Sequence, residues 1–154
     1  MKKVLLVLST TDTPGDVIDY AVERAKKDKT CLVALYLLEE DLAKEAFDRF
    51  TDIGFIGDRP SEELSESLMR EYRQRGYDEL GKVQIKTMEE GVDFEPLMVE
   101  GVFVQKILEV VESMEIGLAV VVKRKERSFK KYFAKSLADE LKESAPCEVV
   151  ILEK

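Results

Sequence analysis

KKVLLVLSTTDTPGDVIDYAVERAKKDKTCLVALYLL, residues 2–38, is the stretch that decides the fold. Val4 to Leu8 is a short, unbroken apolar run. Such runs suit strands buried on both faces of a parallel sheet. Thr13 followed by Pro14 predicts the N-cap and first residue of a helix. Val17, Ile18, Ala21, Val22 and Ala25 then recur at helical spacing. Lys26, Lys27 and Lys29 fall at that helix's negative end, where cations are favoured. Cys31 to Leu38 is a second apolar run. Strand, helix and strand within forty residues read as one β-α-β unit.

The rest of the chain repeats the alternation. Residues 41–57 form a connecting segment rich in large apolar side chains, including Phe47, Phe50, Phe55 and Ile56. Ser61 can cap a long helix that turns Leu64, Leu68, Tyr72, Leu80 and Val83 inward. Gly76 and Gly81 weaken it by about 1 kcal/mol each relative to Ala, and Gly91 closes it. Phe94 to Val99 is the third strand, with Pro96 arguing for a sheet edge. Val104, Ile107, Leu108, Val111 and Met114 mark a helix. Gly117 to Val122 is the fourth strand. Phe133, Leu137 and Leu141 belong to the last helix, which Ala145-Pro146 stops. Cys147 to Leu152 is the fifth strand. The pattern predicts an α/β fold, an open parallel sheet of five strands with helices on both faces and right-handed crossovers. Ligands in such sheets sit beyond the carboxyl ends of the strands.

Bulk properties narrow the function. A chain of 154 residues fits one domain, residues 1–154. The net charge of −8 argues against nucleic acid and anionic membrane partners. Histidine is absent, so no imidazole relay, His-containing triad or imidazole metal ligand is available. Cys31 and Cys147 lack the spacing of a zinc site and read as reduced thiols. The apolar run after Lys3 is shorter than the about 7–15 residues of a signal-peptide core. No stretch approaches the ~20 apolar residues of a membrane span. The expected location is the cytoplasm, and no metal is expected.

Several segments resemble the universal stress protein family. They are Lys2-Lys3-Val4-Leu5-Leu6-Val7, Glu100-Gly101, Ile107 to Val110, Gly117 to Val121, and Ser144-Ala145-Pro146-Cys147 through Leu152. The resemblance spans the chain and is strongest from Glu100 onward. It implies a Rossmann-like, adenine nucleotide alpha hydrolase-like sheet with strand order 3-2-1-4-5. One branch of that family binds ATP through Gly-x-x-Gly-x9-Gly-Ser/Thr after the fourth strand. Here the pattern falls on Val122, Lys125, Lys135 and Ser136, and only Ser136 matches. Glycines at such points let backbone approach phosphate. An Asp common at the end of the first strand is replaced by Ser9, and the backbone position that contacts adenine falls on Leu37. The resemblance therefore implies the non-nucleotide branch: a dimeric, non-enzymatic stress-response protein with no ATP cofactor.

Two further segments carry candidate sites. Lys123 to Lys131, with Lys135 beyond, is a basic cluster on an acidic chain. It reads either as a retuned anion site for nucleotide, polyphosphate or RNA, or as a solvated loop. Ser9-Thr10-Thr11-Asp12 reads as a ligand-edge loop or as a turn capping the first helix. The aromatic segment around Phe55 reads as ordinary core, as a cover over a vacant cleft, or as a partner-binding patch. Val149, Val150, Ile151 and Leu152 form a continuous apolar edge, which in the resembling family pairs with its twin. A homodimer through this strand is expected.

Overall fold

The computed structural model describes residues 2–8, 13–39, 58–123 and 137–153. Five strands are present: β1 (Lys3–Leu8), β2 (Leu32–Glu39), β3 (Phe94–Gly101), β4 (Ile116–Lys123) and β5 (Glu148–Glu153). Among the described residues four helices alternate with them: α1 (Gly15–Lys27), α2 (Asp58–Glu90), α3 (Phe103–Ser113) and α4 (Leu137–Ser144). All pairings are parallel, and the sheet order is β3-β2-β1-β4-β5. Fold class and strand order are as the sequence and its resemblance imply. Strand limits differ from the expected ones by one or two residues.

β1 is the central strand, and its side chains alternate between two cores. Val4, Leu6 and Leu8 join Val17, Ala21, Val22, Leu80 and Val83 beneath α1 and α2. Leu5 and Val7 join Ile107, Val110, Val111 and Leu141 beneath α3 and α4. Both layers are needed because neither face of β1 can meet water: residues Val4 to Leu8 are all buried. Each such aliphatic side chain contributes roughly 1.5–3 kcal/mol through burial. Pro96 lies on edge strand β3, where its missing N–H can face away from the ladder.

The start of α1 differs from the expected cap. Pro14, not Thr13, occupies the N-cap position, and no side chain caps the helix. Thr13 is instead folded inward and is 5% exposed. At the other end of the layer, Gly91 closes α2 as expected. Its φ of 69° is left-handed, and Val92 N–H donates back to the Thr87 carbonyl at 2.9 Å. No helix among the described residues is long and apolar enough to cross a membrane.

The two glycines inside α2 play opposite parts. Gly76 sits over the fully buried Tyr36 ring, and a Cβ there would lie 2.6 Å from that ring and from Met98 Cε. Its missing side chain makes the notch that admits Tyr36. The same burial pushes the Tyr36 hydroxyl up to about 12. Gly81 has nothing within 4 Å of the position a Cβ would take. Gly76→Ala should therefore destabilise the protein by about 1–3 kcal/mol despite alanine's helix preference. Gly81→Ala should stabilise it by up to about 1 kcal/mol. Urea unfolding of both variants checks this; a gain for both would show that Tyr36 yields readily.

Candidate functional site

The chain order places one reversal of winding in the sheet. From β1 the chain moves outward to β2 and β3, then returns to the other side of β1 for β4 and β5. A crevice opens at such a reversal, beyond the carboxyl ends of the strands. Here β1 is described as far as Leu8. Its ladder with β2 ends at Leu8↔Tyr36, while β2 continues to Glu39 against β3. Its ladder with β4 ends at Leu6↔Val120, while β4 continues to Lys123 against β5. The tips of β2 and β4 thus outrun β1 and flank a notch two strand spacings wide, about 10 Å. That width admits a flat aromatic ring between two backbone edges.

Two expected site residues flank this notch. Leu37 lies one residue past the last pairing of β2 with β1, so its backbone edge faces the notch while its side chain is buried. Val122 lies opposite on β4. Its side chain packs onto the core beneath α1 and α2. It is directed toward a sheet face. Lys123 ends β4 and continues the same wall. Ser9, Thr10, Lys125, Lys135 and Ser136 lie outside the described residues, as do Phe47, Phe50, Phe55 and Ile56.

The entry to α1 borders the notch, and a residue far away in sequence holds it. Glu79 on α2 is buried, at 4% exposure. Its Oε2 accepts a 3.3 Å hydrogen bond from the Thr13 backbone N–H, and Lys82 Nζ lies 2.9 Å from its Oε1. A buried carboxylate requires such partners. The pair fixes the entry to α1 at Thr13. Sequence reasoning missed Glu79. The available signal was a carboxylate placed among Tyr72, Leu80 and Val83 on the inward stripe of α2. Beside this anchor, Thr13, Gly15, Ile18, Asp19, Lys82 and Lys86 line an open groove of about 360 Å³ between α1 and α2. Lys86 there is held charged by Asp19, 3.4 Å away, which raises its pKa.

Cys31 and Cys147 are free and half-buried, and burial pushes both thiols up. That direction disfavours the thiolate. Among the described residues no three Cys, Asp or Glu side chains are grouped to hold a metal ion.

The model of the Universal stress protein family matches residues 1–153. No curated protein matches the sequence. Among solved structures, universal stress protein UspA from Lactobacillus plantarum is similar at 16% identity and a TM-score of 0.73. That match covers 98% of this chain and 97% of the other. A universal stress protein in complex with cAMP is 14% identical, with a TM-score of 0.66 over 99% and 96% of the two chains. The universal stress protein from Archaeoglobus fulgidus in complex with dAMP is 14% identical, with a TM-score of 0.63 over 98% and 97%.

These last two likenesses overturn the expectation of no nucleotide cofactor. Proteins of the same fold were crystallised with adenosine nucleotides. The expectation rested on lost glycines, which serve the phosphate chain of ATP. A nucleotide with one phosphate asks little of such a cradle.

The Glu79 anchor yields a direct test. Glu79→Ala should cost about 1–3 kcal/mol, since Thr13 N–H and Lys82 both lose a buried partner. Glu79→Gln retains an acceptor for the N–H and should lose less. Equal stability of wild type and both variants in urea unfolding would show that the anchor is dispensable.

Proposed function

The chain belongs to the universal stress protein family, and from that premise we propose that it is a stress-response protein that senses an adenosine nucleotide without turning it over. The notch above β1 supports this reading most directly. Adenine enters between the tips of β2 and β4 and pairs with the free backbone edge at Leu37. Backbone N–H and C=O groups there can match the donor and acceptor pattern of the base. The phosphate then lies toward the segment that follows Lys123. Lys123, Lys125, Lys135 and Ser136 supply charge and a hydroxyl where glycine N–H groups would otherwise do so. Nucleotides found in proteins of this fold make the same class of ligand the first to try.

A non-enzymatic role fits the residue inventory. The chain has no histidine, and burial holds its two thiols protonated. Free thiols suit a reducing cytoplasm. The readout of binding is then a change in association with other proteins.

Isothermal titration with AMP, cAMP and Mg-ATP tests the ligand. Micromolar binding of a monophosphate is expected, weakened about tenfold or more in Lys125→Ala/Lys135→Ala, as loss of a charge-assisted hydrogen bond implies. Silence toward all three would overturn the sensor reading and leave a protein-binding scaffold.

The protein also acts as a homodimer through β5. The sheet has two edges, and they differ. β3 carries Pro96 together with Glu95 and Glu100, features that blunt an edge. β5 presents Val149, Val150, Ile151 and Leu152 without interruption, three of them only half-buried. Pairing with a twin would cover that edge. Light scattering at micromolar concentration should give twice 17.6 kDa, and a monomeric mass would sink the dimer.

A further inference from the structure

Glu79 and Lys82 stand about one turn apart on α2 and differ sharply in their access to water. The Glu79 side chain is 5% exposed and that of Lys82 50%. Each oxygen of the buried carboxylate has a partner. Oε2 accepts from the Thr13 backbone N–H at 3.3 Å, and Oε1 accepts from Lys82 Nζ at 2.9 Å. The ammonium thus reaches inward from the open groove between α1 and α2, and the carboxylate passes that hold on to a backbone amide in a distant part of the chain. The start of α1 supplies no side-chain hydrogen bond of its own. Its N-cap is Pro14, with no side-chain cap, and the buried Thr13 hydroxyl has no hydrogen-bond partner. Asp19–Lys86 and Lys26–Glu90 also tie α1 to α2, but farther along and at the surface, where ion pairs contribute little.

We propose that Lys82 is an external control on the strand-end crevice: its charge, acting through Glu79, sets how firmly the connection from β1 to α1 is held. A carboxylate this buried keeps its place only with good partners. Neutralising the ammonium, or drawing it out into the groove, leaves Glu79 a single neutral donor. The stranded charge then turns toward water, and its grip on the N–H weakens. Thr13 lies in the connection itself, five positions after Leu8, the last residue of β1. Connections at the carboxyl ends of strands border the ligand site in sheets of this kind. Lys82 is therefore a positioning residue, acting through Glu79 and Thr13 and not by contact with a ligand. Its effect on a ligand rests on the nucleotide reading above; the hold on Thr13 does not.

Amide hydrogen exchange, read residue by residue by NMR, tests the control without any ligand. Lys82→Gln should speed exchange at Thr13 at least about tenfold, whereas Lys82→Arg, which keeps the charge, should stay within about threefold of wild type. Lys86→Gln, in the same groove but tied to Asp19, should leave Thr13 unchanged. The Val22 amide, in the middle of α1, reports opening of the whole domain and should accelerate less than Thr13. In a Glu79→Gln background, Lys82→Gln should add nothing, since the charge it served is gone. Titration with AMP as the probe should then show Lys82→Gln binding about threefold or more weakly than wild type, because the held entry is a smaller share of the population. A wild-type protein silent toward AMP fails the nucleotide reading, and the exchange result still decides the control. Exchange at Thr13 that ignores Lys82→Gln, or that rises equally at Val22, overturns the proposal.

Discussion

Everything in this fold answers to one constraint: β1 has no face that can touch water. Residues Val4 to Leu8 are buried from end to end, and their side chains alternate into two cores. A strand of this kind must be paired on both edges and covered on both sides. Parallel pairing to β2 and β4 meets the first demand, and crossover helices meet the second. The helices divide accordingly, with α1 and α2 on one face and α3 and α4 on the other. The reversal of winding beside β1 follows from the same demand, because the chain must return across its own first strand to cover the second edge. The strand-end crevice is thus a by-product of burying one apolar run.

The crevice lies at the reversal of winding beside β1 rather than at a dedicated motif. β2 and β4 are each eight residues long, whereas β1 has six. Among the described residues, the ladder of β1 with β4 ends at Leu6↔Val120, and β4 runs on to Lys123. Backbone recognition of this sort is insensitive to side-chain identity, so a base can be held by strands whose sequences have drifted far. Phosphate recognition is different. It depends on the groups at hand, and glycine N–H, lysine ammonium and serine hydroxyl solve that problem in different ways. A chain can therefore lose one phosphate cradle and keep the place for the base.

Much of this was legible in the residues. The unbroken apolar runs from Val4 and Gly117 predicted doubly buried strands, because only a parallel sheet removes alternation. Pro96 predicted an edge, because proline has no N–H for a second ladder. Gly91 predicted a helix end, because left-handed backbone suits a residue without Cβ. What failed to show was whatever depended on partners distant in the chain. Thr13 looks like a cap by local rules, yet its N–H is taken by Glu79. Gly76 and Gly81 look alike within α2, yet one lies over a tyrosine ring and the other over open space. The cofactor expectation went astray for a related reason. It weighed side-chain bulk at Val122 without knowing that the strand turns this side chain toward a core.

The hydrogen bond from Thr13 to Glu79 also has a consequence in time. Its two ends are 66 positions apart. During synthesis the first strand and helix emerge well before the carboxylate that locks them together. At about 5–20 residues per second, the wait is roughly 3–13 s. Throughout that interval the strand-end crevice has one wall and no anchored entrance. The entry to the first helix thus stays unanchored until α2 is complete, however early the first β-α-β unit condenses.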